Sequence, residues 1–131
     1  MKRQVTDTQC PCGIGAAFAD CCGRHIEAGV PAPSALALMR SRYSAHVREA
    51  SAYLLATWHA STRPPEVRFD PPAPRWLGLQ IRAVQATDAK HATVEFVARW
   101  RIGGRAQRLH ETSRFVHEGG RWYYVDGDLH G

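Results

Sequence analysis

All four cysteines of this 131-residue chain fall within a short stretch, as Cys10-Pro11-Cys12 and the adjacent pair Cys21-Cys22. A fold must either gather these sulfurs or hide four thiols separately, and the spacing favours gathering. One Cys-x-Cys knuckle and one Cys-Cys pair can set four thiolates around a point, the closed tetrahedral shell of a structural zinc site. Pro11 stiffens the turn between the first two ligands, and Gly13 and Gly15 let the chain reverse tightly after them. Disulfides compete poorly, because bridges between such near neighbours are strained. No Cys-x-x-Cys spacing marks a redox pair. Iron also suits four thiolates, so the pattern defines the site better than the metal. Four thiolates on a divalent ion leave two negative charges. Arg24 and His25, with Lys2 or Arg3 folding back, are placed to offset them. His25 is also a substitute ligand if the adjacent pair cannot both reach the ion, its plainer role being a supporting or exposed histidine.

Composition narrows the class. Hydrophobic residues make up 44% and charged residues 22% of the chain, a globular balance. No apolar run approaches the ~20 residues of a membrane span. The start, Met1-Lys2-Arg3-Gln4, lacks the apolar stretch of a secretory signal. A cytoplasmic location is therefore expected, where thiols stay reduced and clustered cysteines bind metal. The net charge of +5 comes almost wholly from arginines. They are scattered and do not alternate with aromatics, which argues against direct nucleic-acid binding.

The rest of the chain reads as helices, then strands. Ala28 to Ser34 is a stiff linker containing Pro31 and Pro33, with Ser34 a good N-cap. Leu36, Met39, Tyr43 and Val47 recur on one face of a helix from 35 to about 48, with Arg40, Arg42 and Arg48 mostly off it. A shorter helix starts near Ser51 and carries Tyr53, Leu54, Leu55 and Trp58. A proline-rich loop follows, from Pro64 to Pro74. The period then drops to two over Trp76–Val84, Thr93–Ile102, Arg105–His117 and Arg121–Asp126, with Gly103-Gly104 and Gly119-Gly120 as hairpin turns. Helices followed by a four-stranded antiparallel meander make an α+β domain. The expected organisation is a metal-binding head at 1–27, a linker at 28–34 and an α+β domain at 35–131.

Three resemblances attach to these residues. Cys10-Pro11-Cys12-Gly13 with Cys21-Cys22-Gly23 resembles the SEC-C motif, the zinc knuckle of the bacterial preprotein translocase ATPase. That likeness implies zinc on Cys10, Cys12, Cys21 and Cys22, and a docking role toward another protein or a ribonucleoprotein. The lysines usual in the motif are missing here. The helix-then-strand order resembles the nuclear-transport-factor-2-like (NTF2-like) cone, in which helices cover a curled sheet around a pocket. That cone often pairs through its sheet, which implies a homodimer. Leu38-Met39-Arg40-Ser41-Arg42-Tyr43-Ser44, Trp76-Leu77-Gly78-Leu79, His110-Glu111-Thr112-Ser113-Arg114-Phe115 and Trp122-Tyr123-Tyr124-Val125-Asp126-Gly127, together with the knuckle, make the whole chain similar to the YchJ family. The resemblance implies a SEC-C-like head fused to such a cone and brings no established activity.

If Leu109 and Phe115 face the helices, strand periodicity turns Glu111 and Ser113 inward too. Glu111 is then the candidate functional acid of a pocket walled by Tyr43, Trp58, His59 and Trp76, with Asp126 at its edge. The alternative for Glu111 is a structural ion pair with Arg40 or Arg42. No nucleophile-plus-base arrangement or phosphate loop is legible, so the balance is against an enzyme. Two readings follow. One is a zinc-dependent docking module with the cone as scaffold; the other is a small-ligand binder or enzyme using the pocket around Glu111.

Overall fold

The structure, a computed structural model, describes residues 9–131. Lys2 and Arg3, expected to fold back on the metal head, lie outside the described residues. The knuckle is followed by a 3₁₀ turn at Phe18–Asp20 and a one-turn helix α1 at Gly23–Ile26. Next come α2 at Ala35–Val47 and α3 at Ser51–Ala56. Four strands close the chain, β1 Arg75–Asp88, β2 His91–Ile102, β3 Arg105–Glu118 and β4 Arg121–Leu129. They form one antiparallel sheet in the order β1-β2-β3-β4. Among the described residues, no helix is long and apolar enough to cross a membrane.

Local chemistry explains the punctuation. Ser34 caps α2, its hydroxyl accepting the Ala37 N–H at 3.1 Å. Both glycines of each hairpin pair, Gly103-Gly104 and Gly119-Gly120, have positive φ, the demand of a type I′ turn whose twist matches the strands it joins. Register shifts between Trp76 and Gly78, between Ile81 and Ala83, and between Arg114 and Phe115 mark irregularities in the ladders. Bulges of this kind bend strands and sharpen their twist, which lets the sheet curl around α2.

Helix α2 departs from its expected amphipathic form. Met39 and Tyr43 are buried, but so are Ser41, Arg42, Ser44 and Ala45. The helix is wedged between the sheet on one side and the knuckle and α3 on the other, so it has little solvent face. Arg42, expected off the apolar face, is only 5% exposed. One core runs from Cys10, Cys12, Phe18 and Cys22 through Leu38, Met39 and Tyr43 to Val94, Phe96, Ala98 and Phe115. The knuckle is thus packed into the cone's own interior.

Candidate functional site

The knuckle assembles itself locally. The Cys10 N–H donates to the Ala16 carbonyl at 2.9 Å, closing the loop that carries Cys12. Cys22 precedes α1, and the His25 and Ile26 amides donate back to its carbonyl. The four sulfurs all lie within 4.8 Å of one another, with Cys12 to Cys21 at 3.6 Å and Cys21 to Cys22 at 4.0 Å. Around a zinc ion with bonds of ~2.3 Å, tetrahedral geometry puts sulfurs about 3.8 Å apart. The cysteines therefore fit a four-coordinate metal ion without rearrangement of the backbone.

His25 is not among the clustered ligands, which corrects its reading as a substitute. Its Nδ1 lies 2.6 Å from the Val30 carbonyl, and the ring is buried. It holds the linker against the head. Both members of the Cys21-Cys22 pair already reach the cluster, so no substitute is needed.

Electrostatics favour a cation. Thiols of Cys22, Cys10 and Cys21 and the Ile14 amide donate to the Cys12 sulfur, holding its pKa down at about 5 against the opposing effect of burial. Cys22 is pushed well above the ordinary thiol range, first by donating to Cys12 and then by burial. Burial, with its thiol neighbours, also pushes Cys21 up to about 11. Cys12 is thus ready as a thiolate at neutral pH, and loading an ion expels protons from Cys21 and Cys22, so affinity rises with pH. Ser44 of α2 touches the Cys10 sulfur at 3.5 Å, and the Arg48 guanidinium lies over the Phe18 ring at 4.0 Å. Both contacts tie the head to the first long helix.

A second feature lies between α2 and the sheet, a cavity of about 200 Å³. Tyr43, Trp58, Trp76 and Glu111 all line it, joined by Met39, Arg42, His46, Trp100 and Tyr124. Leu109, Glu111 and Ser113 face inward together. Glu111 Oε2 accepts from Ser113 Oγ at 2.7 Å and Tyr124 OH at 3.3 Å. Among the described residues, Oε1 accepts no hydrogen bond and no ion pair joins Glu111 to Arg40 or Arg42. Gly127 lies directly beneath this carboxylate, and any Cβ there would overlap it.

Arg42, expected off the packed face of its helix or paired with Glu111, instead lies buried with other partners. Its Nη1 donates to the Leu54 carbonyl at 2.8 Å and Thr57 Oγ1 at 2.7 Å. The guanidinium lies 5.1 Å from the Trp58 ring and 4.6 Å from the Tyr124 ring. Burial pulls its pKa down to about 10, so it stays charged at neutral pH. The Trp58 indole N–H is buried with no partner among the described residues, its ring edge-on to Tyr124.

Two expected pocket residues sit elsewhere. His59 lies outside, its Nε2 3.0 Å from Glu118 Oε1 and its Nδ1 2.7 Å from Ser61 Oγ. The chain turns outward after the Trp58–Tyr124 bridge, and this carries His59 with it. Asp126 binds Arg114 Nε at 2.6 Å on the exposed side. Arg114 pairs with Asp126 and Phe115 with Tyr124, leaving Val125 as an extra residue in β4. That extra residue reverses the facing of everything after it, so Gly127 rather than Asp126 meets Glu111.

His46 lines the same cavity, packed against Phe69 and Trp76. Burial first, then the neighbouring Arg42 charge, pulls its pKa down to about 4. Between pH 6.5 and 4 the unfolded imidazole takes a proton that the folded one refuses. Stability from this residue is therefore full above about 6.5 and falls as pH drops toward 4, by about 3 kcal/mol. In urea unfolding at pH 7 and pH 4.5, His46→Phe is expected to lose less stability on acidification than the parent. An equal loss in both proteins would show that His46 is not held neutral.

A cysteine knuckle able to hold a metal ion, packed into a helix-covered, curled sheet, defines the class of α+β cone. Residues 34–127 match the family model described as YchJ, middle NTF2-like domain. A UPF0225 protein of Polaromonas sp. strain JS666 is 62% identical over 128 residues, covering 91% of each chain. Another, from Bordetella bronchiseptica, is 57% identical and covers 98% of each. The fold is similar to the solution structure of a SEC-C motif containing protein from Rhodopseudomonas palustris, with a TM-score of 0.79 and 34% identity over 93% of this chain and 98% of that one. It is also similar to the crystal structure of a SEC-C motif containing protein from Psychrobacter arcticus, with a TM-score of 0.75 and 27% identity over 93% of this chain and 82% of that one. The chain belongs to the YchJ family, with an NTF2-like domain behind a SEC-C-type cysteine knuckle.

Proposed function

We propose that the chain is a zinc-stapled small-ligand binder. Zn²⁺ at Cys10, Cys12, Cys21 and Cys22 cross-links the head and braces α2, the helix that forms one wall of the cavity. The observation that carries this reading is the cavity of about 200 Å³ lined by both Arg42 and Glu111 with no ion pair between them. A buried cation and a carboxylate left apart in an apolar chamber are available to orient a guest. The volume is below the ~300–1,000 Å³ of drug-sized sites and near that of cavities that hold a single aromatic ring. The guest expected is a one-ring aromatic bearing a donor for Glu111 and an acceptor or negative charge for Arg42.

The test is a panel of single-ring aromatic acids, phenols and amides, followed by amide chemical shifts of the metal-loaded protein. Binding should move the resonances of Ala98, Leu109 and Glu111, and Ala98→Phe, which fills the chamber, should abolish it. A panel that shifts none of these amides, or binding untouched by Ala98→Phe, would sink the reading. A docking role for the head, toward a protein or a ribonucleoprotein, has one observation in its favour. Ile14 stands 56% exposed at the tip of the knuckle loop. If the head docks, Ile14→Asp abolishes partner capture while ligand binding and metal content are unchanged.

A further inference from the structure

The outer face of the sheet, remote from knuckle and cavity in composition and facing, carries a second cluster of ligand atoms. Glu95 of β2, His110 of β3 and His130, just past β4, bring one carboxylate and two imidazoles within 4.8 Å of one another. Backbone pairing is the cause. The His130 N–H donates to the His110 carbonyl at 2.8 Å, extending the β3–β4 ladder beyond Leu129. The two histidines are thereby cross-strand neighbours, and their rings stack at 4.3 Å between centroids. One strand over, Glu95 lies opposite Thr112, and its Oε2 is 2.6 Å from His110 Nε2. Thr112 Oγ1 in turn is 2.7 Å from His130 Nε2.

We infer that Glu95, His110 and His130 form a site for a divalent transition-metal ion of the zinc, cobalt or nickel type. Two imidazoles and one carboxylate are the donor set that such borderline ions prefer, whereas calcium and magnesium want oxygen alone. An ion bound at ~2.1 Å needs its donors roughly 3–3.5 Å apart, a closure that side-chain rotation alone supplies. Side chains of Glu95 and His110 are only 30% and 16% exposed and already held together, so little freedom is lost on binding. The charged neighbours balance in sign. Arg82 acts on Glu95, while Asp128, held by Arg114, lies near His130. Three protein donors leave the ion's outward positions to water or an incoming ligand. An ordinary cross-strand Glu95–His110 pair gives no reason for ion binding to depend on the His130 ring, so removing that ring separates the two.

The experiment uses the untagged full chain, its knuckle first loaded with one equivalent of Zn²⁺, titrated calorimetrically with Ni²⁺. One further ion per chain is expected with the bound zinc retained. His130→Ala, which removes a side chain beyond the last strand, and Glu95→Gln should each weaken nickel binding at least 10-fold without altering the thermal transition. His91→Ala, an exposed histidine paired with Asp88 elsewhere on the sheet, should leave binding unchanged. No added nickel, nickel taken up only as zinc leaves, undiminished binding in His130→Ala and Glu95→Gln, or weakening in His91→Ala would each overturn the assignment.

Discussion

Cys12→Ser is expected to destabilise the whole molecule, and not merely its first two dozen described residues. Cys12 is 1% exposed and sits in the same apolar cluster as Leu38, Met39 and Tyr43. Removing one of four thiolates forfeits most of the metal's contribution, which in small structural sites appears directly as folding free energy of ~10 kcal/mol or more. Here the cone supplies its own sheet and core, so only part of that is lost. A loss on the order of 5 kcal/mol is the expected scale, comparable to the total stability of many domains. In a domain of this size that corresponds to a fall in Tm of about 20 °C. Thermal unfolding followed by far-ultraviolet circular dichroism, which reports the sheet, reads this out. In the loaded protein, serine at Cys10, Cys12, Cys21 or Cys22 should cost similar amounts despite unequal burial. With chelator present the four should diverge, Cys21 becoming the mildest because it alone is half-exposed. A Cys12→Ser protein with an unchanged sheet transition would mean that the metal does nothing for the cone.

Arg42→Met should also cost several kcal/mol, even though it removes a buried charge. Three magnitudes decide the sign. The depressed pKa of about 10 corresponds to a net penalty on the charge of about 3 kcal/mol, left after Tyr124, Tyr53 and Glu111 offset part of the desolvation. Against it stand two charge-assisted hydrogen bonds, to Leu54 and Thr57, at roughly 1.5–3 kcal/mol each. Two aromatic faces, of Trp58 and Tyr124, add up to about 2 kcal/mol apiece in this desolvated setting. The stabilising terms win. Methionine also leaves the Leu54 carbonyl short of a donor, so a net loss of about 3–5 kcal/mol is expected. Arg42→Lys should recover little, since one ammonium cannot reach both acceptors and cover both rings. Urea unfolding at pH 7 compares the three proteins. A Met variant as stable as the parent would mean that desolvation has been underestimated and that Arg42 is kept for binding alone.

What could be read from the sequence follows from how local each signal is. The knuckle is local, since four cysteines within one short loop cannot separate far, and the spacing alone implied their convergence. Gly103-Gly104 and Gly119-Gly120 are likewise local, because positive φ at both positions dictates the turn. The inward facing of Leu109, Glu111 and Ser113 needed only a two-residue period and one apolar anchor. Asp126 was misplaced because a single extra residue, Val125, inverts that period, and nothing in Tyr-Tyr-Val-Asp-Gly announces it. Arg42 was misjudged because helical periodicity describes one packed face, whereas α2 is packed on several sides. His25, three residues past Cys22, offered either a substitute ligand or a supporting role, and the choice depends on where the linker carbonyl of Val30 comes to rest. The Glu95, His110 and His130 cluster spans three strand segments and becomes visible only once register is known.

If metal, knuckle and cone stabilise one another through their shared core, they lose order together. Amide hydrogen exchange of the full chain, metal-loaded and then chelated, tests it directly. Chelation is expected to strip protection from the knuckle and also from Leu38–Ala45 of α2 and Val94–Ala98 of β2, in one cooperative step. Protection lost from the knuckle loop and α1 alone, with the helix and strand as slow to exchange as before, would contradict it.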